Sequence, residues 1–126
     1  MAQRTAVIVG QCASPHSSIA QRLARWGVQC LFAKSYTEAR SLLQQRACDL
    51  ILSDLQLADG SARRLAALLE GSPVSLFCSY PIEDSCLWIP VVARGRDCWG
   101  AAPLRPREFG VLLRRAFAER RPAGAS

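Results

Sequence analysis

The chain has 126 residues, of which 50% are hydrophobic and 21% charged, and its 16 Lys plus Arg exceed its 10 Asp plus Glu to give a net charge of +6. This length and composition fit one soluble globular domain and exclude a disordered, collagen-like or coiled-coil chain. The uncharged apolar runs are far shorter than the roughly 18 residues of a membrane span, and the run after Arg4 is too short for a secretory signal, so we expect a cytoplasmic protein that does not enter a membrane.

Apolar strands and amphipathic helices alternate along residues 6–78. Short continuous apolar runs are typical of strands that are buried on both faces of a parallel sheet. Between two such runs, Ile19, Leu23 and Trp26 recur at the spacing of one helix face. The alternation favours a doubly wound α/β fold, with a five-stranded parallel sheet and helices on both faces. We predict strands at 6–9, 28–33, 50–52 and 74–78, and helices at 17–26, 35–46 and 61–69.

The pattern changes after Ser79. Residues 80–90 contain two prolines and no helical period long enough for a crossover helix. We therefore expect the fourth crossover helix to be irregular or replaced by an extended segment. Residues 87–92 resemble a short strand that a turn joins to residues 97–100, which indicates a hairpin or an extended loop.

A final helix is predicted where apolar residues and arginines occupy opposite faces. The apolar face carries Phe109, Leu112, Leu113, Ala116 and Phe117, and the other face carries Arg107, Arg114 and Arg121. The last seven residues have the composition of a frayed chain end. We therefore expect a single domain over residues 1–119, followed by a flexible tail over residues 120–126.

The six cysteines include no C-x-x-C pair, and the chain has one histidine, His16. This pattern argues against a zinc site and against an enzyme with a cysteine nucleophile and a histidine base. In a cytoplasmic protein we expect reduced thiols that pack as small hydrophobic side chains. A bridge between Cys86 and Cys98, which flank the expected hairpin, is the alternative. The other four cysteines are Cys12, Cys30, Cys48 and Cys78.

The carboxyl ends of the strands form the functional crevice of an open α/β sheet. Gln11 and Cys12 follow the first predicted strand, Asp54 follows the third and Ser79 follows the fourth. Ala102 and Pro103 follow the last predicted strand. Asp54 is the only carboxylate in this set, so it is the candidate for any chemistry at this edge.

The segment Asp49-Leu-Ile-Leu-Ser-Asp54-Leu-Gln-Leu-Ala-Asp59-Gly60 resembles the phosphoacceptor strand and following loop of the receiver domains of two-component response regulators. The resemblance extends over nearly the whole chain in the order and length of the elements. It implies a flavodoxin-like receiver fold with Asp54 at the phosphoacceptor position. The resemblance also aligns Ala102 and Pro103 with the family's Lys-Pro, Trp99 with its switch Tyr or Phe, and Ser79 or Cys78 with its switch Thr or Ser.

The departures from this family concern the phosphorylation chemistry. A phosphorylatable receiver has two acidic residues after its first strand that help to bind Mg²⁺, whereas Gly10, Gln11 and Cys12 occupy that region here. The family's phosphate-contacting lysine is replaced by Ala102. Because Mg²⁺ needs oxygen ligands and neutralises charge during phosphoryl transfer, we expect little or no phosphorylation and no cofactor. The alternative is a phosphorelay receiver that uses Asp54 as its acceptor and binds Mg²⁺ through backbone groups or Gln11.

These features together predict a stand-alone degenerate receiver that acts in bacterial signal transduction by protein–protein contact and is not an enzyme. We expect its partner to be a sensor kinase or a downstream regulator, and a homodimer stays open. The predicted interaction face combines Trp99 with Arg107 and Arg114 and the irregular segment before them. Arginines are concentrated near the C-terminus without interleaved aromatic side chains, which argues against nucleic acid as a partner.

Overall fold

The computed structural model describes residues 4–10, 18–54, 56–57, 59–69, 71–72, 74–82, 85–93, 96–97 and 102–115. Strands and helices alternate as predicted up to the strand that begins at Ser75, except for two short strands at residues 56–57 and 60–61, which were not predicted. The elements are β1 (Thr5–Val9), α1 (Ser18–Arg25), β2 (Gln29–Ala33), α2 (Tyr36–Gln45), β3 (Leu50–Asp54), β4 (Gln56–Leu57), β5 (Gly60–Ser61), α3 (Ala62–Leu68), β6 (Ser75–Ile82), β7 (Ser85–Ala93), β8 (Arg96–Asp97) and α4 (Pro106–Leu113).

The main sheet has the strand order β2-β1-β3-β6-β7-β8. The strands β2, β1, β3 and β6 are parallel, which confirms an α/β chain with a largely parallel sheet. In this register Asp54 pairs with Ser79, so the last residue of β3 lies beside the middle of β6. The strand β6 continues three residues further, to Ile82.

The prediction of a five-stranded parallel sheet is wrong beyond β6. The strand β7 is antiparallel to β6, with pairs from Ile82 and Ser85 at the turn to Leu76 and Val92 at the far end. This confirms that an extended segment replaces the fourth crossover helix. The physical reason is chain length, because a parallel connection needs a dozen or more residues whereas a hairpin needs only a few, and only residues 83 and 84 separate the two strands.

The core consists of two clusters of buried side chains. Consecutive residues of β1 belong to different clusters, and side chains of a strand alternate between the two faces of its sheet. The first cluster contains Val7, Val9, Tyr36, Ala39, Leu65 and Leu69, which come from β1, α2 and the α3 region. The second contains Ala6, Ile8, Ala20, Leu23, Phe109 and Leu113, which come from β1, α1 and α4.

Aromatic side chains hold α4 against the hairpin. The ring of Phe109 stacks on Trp88 at 4.5 Å and meets Phe77 at 5.0 Å between centroids. Phe109 and Leu113 are buried as predicted, whereas Leu112 is 38% exposed, so its predicted place in the buried stripe is wrong. The helix contacts the sheet along a narrow face, and Leu112 lies one residue, or about 100°, away from Leu113 around the helix. Ala116, Phe117, Arg121 and the tail over 120–126 lie outside the described residues.

Local signals at helix ends behave largely as expected. The backbone N–H of Glu38 donates to Ser35 Oγ at 3.2 Å and opens α2 as the capping pattern requires, while the Glu38 carboxylate accepts from the N–H of Lys34 at 2.7 Å. None of the described helices has the length and apolar character that crossing a bilayer would need.

Cys30, Cys48 and Cys78 are free thiols, and the side chains of the other three cysteines lie outside the described part.

Candidate functional site

Asp54 and Ser79 meet at the carboxyl edge of the sheet. They are paired in register across β3 and β6, and Ser79 Oγ donates a hydrogen bond to Asp54 Oδ1 at 3.1 Å. The strand-end rule placed both residues at one edge from sequence, and the structure brings their side chains into contact. Asp54 as a residue is partly buried.

Gly10 packs directly against the Asp54 carboxylate. Its φ of +94° lies in the left-handed region, which side chains disfavour. A Cβ placed on Gly10 would lie 2.5 Å from Asp54 Oδ2 and 2.8 Å from Asp54 Cγ, closer than van der Waals contact allows. Both the backbone conformation and the available space therefore require glycine here. The residue that directly follows β1 has no room for a carboxylate of its own.

Leu57 is a further described residue near this carboxylate. Its Cδ2 methyl lies 3.0 Å from the same Cβ position on Gly10, and Leu57 is only 9% exposed. A hydroxyl, a glycine backbone and an apolar methyl group thus surround or border Asp54. In the described part of the chain no three His, Cys, Asp or Glu side chains come together as ligands for a metal ion. Gln11 and Cys12, which the sequence placed in this pocket, lie outside the described residues.

Ala102 and Pro103 do not join this cluster. Both are exposed and precede Leu104, which forms two backbone hydrogen bonds of 2.8 Å with Trp88. Trp88 pairs with Ser79, and Ser79 pairs with Asp54. At about 4.8 Å between neighbouring chains, three such steps separate Leu104 from Asp54 by roughly 14 Å. The antiparallel strand β7 thus lies between the candidate site and the residues aligned with the family's Lys-Pro.

Cys78 is buried next to Ser79 on β6. Burial, and to a smaller extent the negative charge of Asp54, together raise the pKa of its thiol to about 12. A thiol with this pKa stays protonated at neutral pH, and the protonated form is neither a nucleophile nor a metal ligand. Its position in the first core cluster supports the interpretation of Cys78 as a small hydrophobic side chain.

Asp59 is a residue whose role sequence analysis missed. Its carboxylate accepts hydrogen bonds from the backbone N–H of Tyr36 at 2.8 Å, the N–H of Thr37 at 3.0 Å and the hydroxyl of Thr37 at 2.6 Å. These bonds, the one from the Thr37 hydroxyl foremost, lower the pKa of Asp59 to about 2. Because the partners lie 22 and 23 residues away, no local capping pattern could have revealed this cap.

The exposed face of α4 carries both arginines and apolar side chains. Arg107 and Arg114 are exposed as predicted, and between them Val111 is 50% exposed and Leu112 38%. The acidic residue Glu108 is engaged within the helix start, where its carboxylate accepts from the N–H of Arg105 at 3.1 Å. The face is therefore cationic around an apolar centre. Trp99, the third residue predicted for this surface, lies outside the described residues.

Comparisons of the chain with protein-family models, with curated proteins and with solved structures found no match. The geometry around Asp54 provides one carboxylate with a hydroxyl donor and a tightly packed glycine.

A groove of about 380 Å³ lies elsewhere, between the ends of α2 and α3. Cys48 and Val74 precede β3 and β6, so the groove opens at the amino edge of the sheet, opposite Asp54. It does not extend the candidate site. Its lining is mainly apolar, and its apolar residues include Leu43, Cys48, Leu68, Leu69 and Val74, while its polar residues include Arg40 and Arg46.

Proposed function

We propose that this protein is a degenerate response-regulator receiver domain that acts by binding a protein partner and accepts little or no phosphate on Asp54. The observation that carries this proposal is the contact between Gly10 and the Asp54 carboxylate. The strand order supports it, because β2-β1-β3-β6-β7 resembles the order 2-1-3-4-5 of flavodoxin-like folds. An antiparallel strand in the fifth position is the departure from that fold.

The surroundings of Asp54 oppose phosphoryl transfer. Transfer to a carboxylate relies on Mg²⁺ to neutralise the developing charge, and Mg²⁺ requires several oxygen ligands in near-octahedral geometry. Gly10 has no side chain to offer and no space for one. A lysine contact to a phosphoryl group contributes roughly 1.5–3 kcal/mol, and Ala102 cannot make it. These deficits favour a signalling module that works without phosphorylation.

The second candidate is a phosphorelay receiver in which Asp54 accepts the phosphoryl group and Mg²⁺ binds through backbone groups or Gln11. One observation favours it: Ser79, which the resemblance aligns with the family's switch Thr or Ser, donates from its Oγ to Asp54 Oδ1 at 3.1 Å. Such a hydroxyl could bond to a phosphoryl oxygen as well as to a carboxylate.

The partner surface in this proposal is the exposed face of α4. Arg107 attracts an acidic partner over about one Debye length of 8–10 Å, and the apolar pair of Val111 and Leu112 offers area to bury. An acidic surface on a sensor kinase or a downstream regulator in the bacterial cytoplasm fits this chemistry. A symmetric dimer through the same face would oppose arginine with arginine, so we favour a heterologous partner.

The deciding experiment is treatment of the full chain with acetyl phosphate and Mg²⁺, followed by intact-mass spectrometry. We expect no phosphoryl adduct above the level of an Asp54→Asn control. A stoichiometric adduct in the wild type that is absent from Asp54→Asn would overturn the proposal and establish the phosphorelay function. Beryllofluoride, which imitates the acyl phosphate, provides an independent reading with the same two variants.

A further inference from the structure

The segment that follows Asp54 is tied to the start of α2. Asp59 accepts three hydrogen bonds of 2.6–3.0 Å from Tyr36 and Thr37. These residues are the first two of α2, where backbone N–H groups have no partner within the helix and the helix dipole favours negative charge. The donors at this helix start are therefore satisfied by a carboxylate from another part of the chain.

Arg64 provides a second connection between the same two regions. Its Nη1 donates to the backbone carbonyl of Asp59 at 2.9 Å, and its guanidinium lies 4.1 Å from the centroid of the Tyr36 ring. Asp59 and Arg64 thus each bridge the segment after β3 and the first residue of α2. A cation over an aromatic ring adds to the hydrogen bonds and holds the ring in place.

The segment that Asp59 and Arg64 connect to α2 also contains Leu57, which lies near Asp54. Leu57 pairs with Gly60 in the short β4–β5 ladder, so its position depends on the residue next to Asp59. Its Cδ2 methyl and Asp54 Oδ2 both approach the position that a Cβ added to Gly10 would take, at 3.0 Å and 2.5 Å. Leu57 therefore lies near the carboxylate, and its side chain packs on the first core cluster.

We propose that Asp59 is a positioning residue, which by bonding to the start of α2 holds Leu57 over Gly10 and restricts access from solvent to Asp54. Loss of the three bonds frees the segment to lift and opens one side of the carboxylate. This inference concerns access alone and holds whether or not Asp54 accepts phosphate. It makes the start of α2 an element that sets the state of the candidate site.

The test compares Asp59→Asn with Asp49→Asn in the full chain. Asp49 is a matched control, because its Oδ2 also accepts a backbone N–H, that of Thr5 at 3.0 Å, yet it lies at the opposite end of β3. The readout is the rate at which a water-soluble carbodiimide and glycinamide modify Asp54, measured by peptide mass spectrometry. We expect a roughly fivefold faster rate in Asp59→Asn, as loss of a hydrogen-bonded restraint implies, and an unchanged rate in Asp49→Asn.

A Leu57→Ala variant separates the effect of the Asp59 hydrogen bonds from the effect of the Leu57 side chain that borders Asp54. It should speed modification of Asp54 while leaving hydrogen exchange at the amides of Tyr36 and Thr37 slow, since Asp59 still binds them. If Asp59→Asn does not fold, Thr37→Val removes only the hydroxyl bond and should give a smaller increase. An unchanged rate in a folded Asp59→Asn or Thr37→Val protein, or an equal increase in Asp49→Asn, would overturn the proposal.

Discussion

The parallel strands of the sheet and the β6–β7 hairpin differ in how their strands are connected along the chain. In the parallel part of the sheet, the chain runs from β1 to β2, from β2 to β3 and from β3 to β6 through segments that each contain a helix. In the hairpin, β7 follows β6 after two residues and runs in the opposite direction. A helical crossover can be recognised from the periodic spacing of its apolar residues, whereas a hairpin is defined by which residues pair across it. This difference explains why the parallel strands could be predicted from sequence, whereas the direction of β7 could not.

The largest test of this comparison is removal of the aromatic contact that joins the two regions. Phe109 is fully buried between Phe77 of β6 and Trp88 of β7. We expect Phe109→Ala to lower the free energy of unfolding by about 3–5 kcal/mol, because the lost ring leaves a cavity between α4 and the hairpin. Denaturant unfolding followed by circular dichroism measures this change.

Leu112→Ala is the control on the same helix, and its side chain is 38% exposed. We expect it to cost less than about 1 kcal/mol. An equal loss in both variants would mean that Leu112 lies in the core after all. A second transition in Phe109→Ala would indicate that the hairpin and α4 unfold separately from the parallel strands.

A smaller effect is expected at the first strand end. Gly10→Ala forces a side chain into the left-handed region and against the Asp54 carboxylate, for a combined cost of about 2–4 kcal/mol. Gly27 has a similar φ of +79° with nothing within 4 Å of the added Cβ, so Gly27→Ala should cost only about 1–2 kcal/mol for the backbone strain. Equal costs for the two variants would show that the contact with Asp54 is not restrictive.

A third test uses pH at the tertiary cap of α2. Hydrogen bonds hold the pKa of Asp59 at about 2, below the value of about 3.9 in an unfolded chain. The contribution of the carboxylate to stability is therefore complete above its unfolded pKa and is lost as the pH falls through its folded pKa. We expect Asp59→Asn to have a lower thermal midpoint than wild type at pH 7, with the gap closing between about pH 4 and about pH 2. A gap that persists at the lower pH would contradict this.

The smallest effect on stability is expected at the surface of α4. Charge reversal of the exposed residues Arg107 and Arg114 should change the free energy of unfolding by less than about 0.5 kcal/mol. The same double variant should weaken binding to an acidic partner, with a loss that shrinks as salt rises. Arg40→Glu on α2 is the comparison at an exposed arginine outside this face. Unchanged binding in the double variant would mean that α4 is structural and not a docking face.

Sequence analysis located much of the candidate site but not its neighbours. Asp54 and Ser79 follow apolar strand runs, so the rule for strand ends placed both at one edge, where they form a hydrogen bond. The contact between Gly10 and Asp54 could not be predicted from the sequence, because it depends on the register of β1 against β3. Asp59 was missed for the same reason, since its partners are remote in sequence.

The sequence by itself determined the alternation of strands and helices from Thr5 to Cys78, because each element there has its own apolar period and its own start and stop residues. It also excluded a regular crossover helix over residues 80–90, since the prolines and apolar positions there fit no helical period, but it left open whether the segment is irregular or extended. Only the tertiary structure decided that β7 runs antiparallel and separates Ala102 from Asp54. Strand direction depends on pairing energies summed along the whole strand, and no short window of residues contains them.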